Sequence, residues 1–314
     1  MRKVSAIVIV WMMTYSLSFA SCQDLAGAYP SVIRKCGDNS IVWRDGSVTR
    51  YDDGKSKSFG QALEHPDPED MFRYRYPRGR SGYGVAPKKD FDPGRIRYEP
   101  LFLKMYGDSP AKVKKRLTTI DWFGHKVRVT TVNGVASRLK AVERDLRGKP
   151  HLMKYLTPPG GGFYWRKIAG THRLSVHSFG AAIDINVKHS AYWRWNKGAY
   201  RYRNEIPYEI VEAFEKHGFI WGGKWYHYDT MHFEYRPELL GMRGDGEPLS
   251  RKREKVSSPR TKEMVHGREY RVQRGDTLYG ISRRFGIGLK RLKDLNDMET
   301  DSIHPGDRLL IPSR

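Results

Sequence analysis

The chain has 314 residues, enough for one sizeable core plus a smaller unit and too few for three ordinary domains. Lys and Arg number 57 against 35 Asp and Glu, a net charge of +22, with a hydrophobic fraction of 39% that is low yet compatible with globular folding. Such a balance calls for an anionic neighbour, but nucleic acid, an acidic membrane surface and the anionic polymers of a bacterial envelope all satisfy it.

The chain opens MRKVSAIVIVWMMTYSLSFASC: Arg2 and Lys3, an uncharged apolar run to Phe19, then small residues around Ala20. Residues 1–21 therefore read as an export signal peptide, its apolar run falling short of the roughly 20 residues that span a bilayer. Cleavage after Ala20 leaves Cys22 and Cys36 as the only thiols, a pair that an oxidising compartment could join. Alternatively Cys22 is lipidated, because "FASC" resembles a bacterial lipoprotein box with Phe19 where Leu is usual. Either fate places the protein outside the cytoplasm, in the periplasm or cell envelope.

After the signal, NSIVWRDGSVTRYDDG alternates around Asp45-Gly46, a pair suited to a hairpin turn. Residues 63–97 are rich in Pro, Gly, Tyr and Arg and read as irregular structure wrapped on the main domain. Ser109 as N-cap and Pro110 at the first helical position open a helix. Val135, Leu139, Val142 and Leu146 follow at helical spacing and end at Gly148. A third helix carries Ile210, Val211 and Phe214 and stops at Gly218. Ala181–Val187 reads as a strand with Ala181, Ile183, Ile185 and Val187 on one face and Asp184 on the other. In the same way MHFEY separates Met231, Phe233 and Tyr235 from His232 and Glu234. This order predicts an α+β fold, a small antiparallel sheet flanked by helices. The boundaries are a signal at 1–21, an N-terminal extension packed on the main domain at 22–104, that domain at 105–240, a basic flexible linker at 241–267 and a compact block at 268–314.

The last block has the order βααβ, with a helix capped by Asp276, Leu278, Ile281 and Phe285 turned inward, and a second helix through Leu289, Leu292 and Leu295. It resembles a LysM domain through Y-x-V-x-x-G-D-T-L at Tyr270 to Leu278, L-x-x-L-N at Leu292 to Asn296 and P-G-D-x-L-x-I-P at Pro305 to Pro312. The resemblance implies binding of glycans containing N-acetylglucosamine, such as peptidoglycan. Gly275, Asp276 and Asn296 serve mainly to cap and turn the small fold.

Chemistry concentrates elsewhere. His177 precedes Asp184 by seven positions, and His232 lies on a second strand with Asp229 three residues before it. Two imidazoles and one carboxylate suffice for a Zn2+ site with an open fourth position, and a nearby carboxylate can take a proton from attacking water. S-x-H-x-x-G-x-A-x-D at Ser175 to Asp184, with GFIWGGKWYHYDTMHFE at Gly218 to Glu234, resembles the zinc D-alanyl-D-alanine carboxypeptidase and L-alanyl-D-glutamate endopeptidase family, which includes phage endolysins and the vancomycin-resistance D,D-peptidases. The resemblance implies His177, Asp184 and His232 as zinc ligands, Asp229 as base, and Arg166 as stabiliser of the substrate carbonyl or carboxylate. Ser175 either fixes its loop or touches substrate. Glu234 either orients an imidazole or forms a salt bridge, and Trp221 and Trp225 either line a cleft or fill the core.

The expected protein is an exported zinc peptidase of the D-Ala-D-Ala carboxypeptidase type acting on peptidoglycan stem peptides, held on the wall by LysM and by anionic envelope polymers. An L-alanyl-D-glutamate endopeptidase and an inactive peptidoglycan-binding protein are the alternatives. Nucleic-acid binding has only charge behind it and is not expected.

Overall fold

The computed structural model describes residues 22–244, 246–247, 267–289, 292–293, 296, 298 and 302–312. The export signal and most of the expected linker lie outside the described residues. Two units divide the chain, residues 1–250 and 251–314. No helix among the described residues is long and apolar enough to cross a membrane.

The first unit begins with α1 (Cys22–Ala28) and a meander of β1 (Ile33–Gly37), β2 (Ser40–Trp43) and β3 (Val48–Arg50), in that spatial order. Gly46, at φ +85°, makes the predicted turn, since a left-handed residue lets the strands reverse tightly. A disulfide joins Cys22 to Cys36, and a sulfur so bonded cannot also carry a thioether-linked lipid. Next, α2 (Phe59–Glu64) starts with a full capping box between Ser58 and Gln61. The irregular stretch that follows docks Met71, Phe72, Tyr76 and Ile96 into buried positions.

Then come α3 (Glu99–Tyr106) and α4 (Pro110–Lys114), the latter capped as predicted by Ser109 Oγ, which accepts the Lys112 N–H at 3.4 Å. The hairpin of β4 (Leu117–Trp122) and β5 (His125–Thr130) was not anticipated from the sequence pattern; it buries Ile120, Trp122, Val127 and Val129. Along α5 (Val135–Leu146) the four apolar residues at helical spacing are all buried. After the short α6 (Met153–Leu156) comes a second three-stranded sheet made of β6 (Ala182–Asp184), β7 (Phe219–Trp221) and β8 (His232–Tyr235), with α7 (Tyr208–Lys216) leading into β7. Its order is β6-β8-β7, with both pairings antiparallel.

The expected strand through Val187 is shorter than its alternation suggested. It ends at Asp184, and Val187, 40% exposed, opens a 3-10 turn instead. Nor does β8 have a solvent face: Phe233 and Glu234 are both fully buried, so its polar side chains need partners inside the protein. One hydrophobic core runs from Leu25 to Met242, which puts residues 22–104 in the same core as the helices and sheet that follow.

In the second unit β9 (Gly267–Arg271) pairs antiparallel with β10 (Arg308–Pro312), with α8 (Leu278–Arg284) between them in sequence. Leu278, Ile281, Leu292, Leu309 and Ile311 form its core, and Leu295 lies outside the described residues. The cap of α8 corrects the sequence reading: Thr277, not Asp276, accepts the Gly280 N–H. Asp276 instead accepts from Tyr270 Oη at 2.7 Å and the Gln273 N–H at 2.9 Å, closing the turn ahead of the helix. Asn296 bridges to the closing strand, donating to Leu310 O and accepting from Leu310 N–H.

Candidate metal centre

Three separate local devices bring His177, Asp184 and His232 together. Antiparallel register sets Asp184 directly opposite His232 on β6 and β8. His177 sits in a 3-10 turn, Val176–Phe179, whose N-cap is Ser175; the Ser175 Oγ accepts the His177 N–H at 3.4 Å, so this serine fixes the turn. Gly180, at φ +65°, then redirects the chain into β6. A Cβ there would stand 2.9 Å from the Thr130 N and 2.8 Å from the Leu117 side chain, so this position requires glycine.

The donor atoms converge closely. His177 Nε2 lies 3.1 Å from both Asp184 Oδ1 and His232 Nδ1, and His232 Nδ1 lies 3.0 Å from Asp184 Oδ1. The other ring nitrogens decide what that convergence means. His177 Nδ1 faces the Gly162 carbonyl at 2.6 Å, which can only accept, and His232 Nε2 faces Glu234 Oε2 at 3.2 Å. Each outer nitrogen therefore carries a proton, which leaves the two inner nitrogens and a carboxylate oxygen to share whatever cation lies between them. Without a metal, a proton on the inner nitrogen of His232 occupies that point, and a metal ion would displace it. Two nitrogens, one oxygen and partners fixing both tautomers fit Zn2+ with a coordination position left open.

Two other carboxylate clusters, Asp52-Asp53-Asp67 and Asp67-Glu69-Asp70, already have their cation. Lys57 Nζ lies 3.2, 3.1 and 2.6 Å from Asp53, Asp67 and Asp70.

Charges around the triad follow the same logic. Burial alone would raise the Asp184 carboxyl, but the two imidazoles outweigh it and hold it far below its ordinary range. Burial lowers His232, yet its contacts with Asp184 and Glu234 dominate and push it up to about 10. Glu234 is held down at about 2 despite burial, because Arg97, His232 and Arg236 surround it. Arg97 Nη1 lies 3.5 Å from Glu234 Oε2 and Arg236 Nη1 3.0 Å from Oε1. Glu234 thus does both things the sequence allowed: it orients His232 and forms salt bridges.

Asp229 behaves differently. Its Oδ1 is shielded from solvent and lacks a hydrogen-bond partner among the described residues. Burial first, and then the Asp184 charge, push its pKa up to about 7. The backbone fixes it, with its N–H on Gly222 O at 3.0 Å and its carbonyl accepting the His232 N–H at 3.2 Å. Arg166 is exposed, and among the described residues its guanidinium forms no hydrogen bond or ion pair. Its backbone carbonyl accepts the Ser175 N–H at 3.0 Å, tying the arginine to the His177 turn.

Several neighbours escaped the sequence reading. Gly160 N–H donates to Asp184 O at 2.8 Å, and a Cβ on Gly162 would come within 2.3 Å of Arg128 O; the Gly160-Gly161-Gly162 run was the available signal. Pro93 O accepts the Trp225 Nε1–H at 2.6 Å, Gly94 O accepts from Arg236 at 2.8 Å, and Arg97 pairs with Glu234, so residues 93–97 support the site from behind. Trp221 and Trp225 are core residues, 0% and 4% exposed. His227 pairs with buried Asp92 at 2.6 Å, which gives it a structural role.

Comparison with known proteins agrees with both halves of this description. Residues 169–235, which include His177, Asp184, Asp229 and His232, match the family described as D-alanyl-D-alanine carboxypeptidase. Residues 270–312 match the LysM domain. The chain is 48% identical over 46 residues to the cell wall-binding protein YocH of Bacillus subtilis, covering 15% of this chain and 16% of that protein. It is 40% identical over 45 residues to the uncharacterized protein YkzQ of the same organism, covering 14% of this chain and 60% of that protein. The chain thus spans less than two thirds of either relative, and no solved structure matches it. Residues 169–235 are thus similar to the D-alanyl-D-alanine carboxypeptidase family, and residues 270–312 to the LysM domain.

Proposed function

We propose that the protein is an exported zinc peptidase that hydrolyses an amide bond in the peptide stem of peptidoglycan, as a D-Ala-D-Ala carboxypeptidase, while its LysM domain holds it on the wall. The observation that carries this reading is the convergence of His177, Asp184 and His232 near Asp229, whose Oδ1 is shielded from solvent and has no hydrogen-bond partner among the described residues. His177, Asp184 and His232 would hold the ion. Zinc, when bound, supplies Lewis acidity that polarises the scissile carbonyl and acidifies water. Asp229, ordinarily near 3.8 and raised to about 7, accepts a proton from the attacking water near neutral pH. It then passes that proton to the leaving amine, so water's hydroxyl ends on the acyl carbon and its proton on nitrogen. Arg166, exposed beside the His177 turn, is free to offset negative charge on the substrate. The carboxypeptidase assignment follows the matched family; the L-alanyl-D-glutamate endopeptidase shares the metal motif. An inactive binding protein is disfavoured because the three proposed ligands converge and the proposed base is present three residues before one of them.

The test is mass spectrometry of purified peptidoglycan after digestion with zinc-loaded protein, using Asp229→Ala as control. Loss of a terminal D-Ala supports the carboxypeptidase, whereas a new L-Ala end supports the endopeptidase. Untouched stems together with no stoichiometric zinc would leave only a wall-binding role.

A further inference from the structure

A row of aromatic rings runs along the segment paired with Asp229. Tyr192 forms a β-bridge to Asp229, the Trp193 N–H donates to Tyr228 O at 2.9 Å, and the Thr230 N–H donates to Ala191 O at 2.9 Å. On this base the rings follow one another: Trp195 to Tyr192 at 5.8 Å, Tyr192 to Trp193 at 6.2 Å and Trp193 to His227 at 4.6 Å. The row continues from His227 to Tyr226 at 5.0 Å and from Tyr226 to Tyr200, stacked at 4.3 Å. None of the six is buried; Trp195 is 53% and Tyr200 37% exposed, whereas Trp221, Trp225 and Tyr228 beside them are core residues. A contiguous row of exposed and partly exposed rings marks a binding site more often than idle packing.

Charge narrows the ligand. Residues 192–203 hold Arg194, Lys197, Arg201 and Arg203 and no acidic residue. All four are exposed, and among the described residues none pairs with a carboxylate. We infer that this aromatic, basic arm is a platform for a carboxylate-bearing glycan strand, which it lays against the metal centre. Flat ring faces suit the C–H faces of pyranose sugars, ring hydroxyls and indole N–H groups suit sugar hydroxyls, and the cations suit carboxylates on attached peptides. An anionic membrane surface would also attract Trp, Tyr and Arg. Against it, the segment 192–203 contains no Leu, Ile, Val, Phe or Met to insert, and its backbone pairing with Asp229 brings whatever lies on it to the reacting centre. The inference deepens the proposed function and rests on it for the identity of the polymer.

The full-length Trp195→Ala/Tyr200→Ala variant tests it, since neither ring belongs to the metal site. Metal-stripped wild type and variant are sedimented with purified peptidoglycan, and the LysM domain, present in both, cancels from the comparison. The expected result is roughly tenfold weaker binding by the variant with an unchanged Tm, and, after zinc loading, turnover of a sugar-free stem peptide within about twofold of wild type. Equal binding by the two proteins overturns the inference, as does an equal loss of turnover on the sugar-free peptide and on peptidoglycan. Loss of binding to phosphatidylglycerol vesicles with peptidoglycan binding retained overturns it in favour of lipid. If wild type cleaves no stem peptide while the binding difference persists, the peptidase reading falls and the platform stands.

Discussion

Replacing Asp229 with Asn should remove activity and, in the metal-free protein, raise stability at alkaline pH. Asp229 has an oxygen with no hydrogen-bond partner among the described residues, and burial first and then the Asp184 charge raise its pKa from 3.8 to about 7. Between those values the folded chain keeps a proton on Asp229 that the unfolded chain has released, so stability falls as pH rises through the window. At about 1.4 kcal/mol per pH unit, the ionised side chain costs up to about 4 kcal/mol above pH 7. Asn keeps the shape and cannot ionise, so the metal-free variant should gain about 2–4 kcal/mol at pH 8.5, a rise in Tm of roughly 5–10 °C, and almost nothing near pH 4. Bound zinc favours the carboxylate and should shrink the gain. Turnover should drop by about 100- to 10,000-fold with the base removed. Thermal unfolding in chelator at both pH values, paired with the peptidoglycan digest in zinc, measures both effects. An Asn variant less stable than wild type at pH 8.5 would refute the reasoning, because Asp229 would then be a structural residue whose loss of activity reflects damage.

Three further outcomes follow from the same geometry. Because His232 is pushed up to about 10, it holds a proton in the metal-free protein at neutral pH that zinc must displace; calorimetry in buffers of different ionisation enthalpy should find about one proton released near pH 7.5, and none released would contradict the site. Arg97→Met weakens the anchoring of Glu234, and through it of His232, so zinc affinity measured by chelator competition should fall about 10- to 100-fold, with Arg97→Lys recovering part; an unchanged affinity would reduce Arg97 to packing. Cys22→Ser removes a cross-link between residues 14 apart and should cost about 3 kcal/mol, read as a lower Tm, while a lipid mass on wild-type Cys22 would contradict the disulfide.

The candidate metal site was legible in the sequence because its proposed residues fall in two short local groups. His177 lies in the turn that leads into the strand ending at Asp184, and Asp229 lies three residues before His232, where β8 begins. Helices α4, α5 and α7 were legible for a related reason: a cap, an apolar period and a terminal glycine are all local signals. The β4–β5 hairpin was not, since its turn at Phe123-Gly124 lacks the usual Asn-Gly or Asp-Gly pair. Nor was the cap of α8, where adjacent Asp276 and Thr277 both fit and only the contact of Tyr270 with Asp276 separates them. Arg97 was beyond reach for a different reason. It stands among Arg73, Arg75, Arg78, Arg80 and Arg95 in one basic stretch, and nothing local distinguishes the arginine that meets Glu234 137 positions later.

That last contact bears on how the catalytic unit is assembled. The family match begins at residue 169, yet Glu234 within it is a buried carboxylate facing Arg236 and an imidazole, and it is balanced by a guanidinium from residue 97. Removing one member of such a buried charge network costs about 3–5 kcal/mol, since it leaves the others uncompensated in a medium that cannot solvate them. The same stretch supplies the carbonyls that receive the Trp225 indole and the Tyr226 N–H, and Trp225 in turn lies 5.7 Å from the His232 ring. A chain starting at residue 105 would keep every proposed ligand and lose the groups that hold His232 in place. The 22–104 extension is therefore part of the candidate metal centre's support, and a domain bounded at 105 would be complete in its motif but incomplete in its physics.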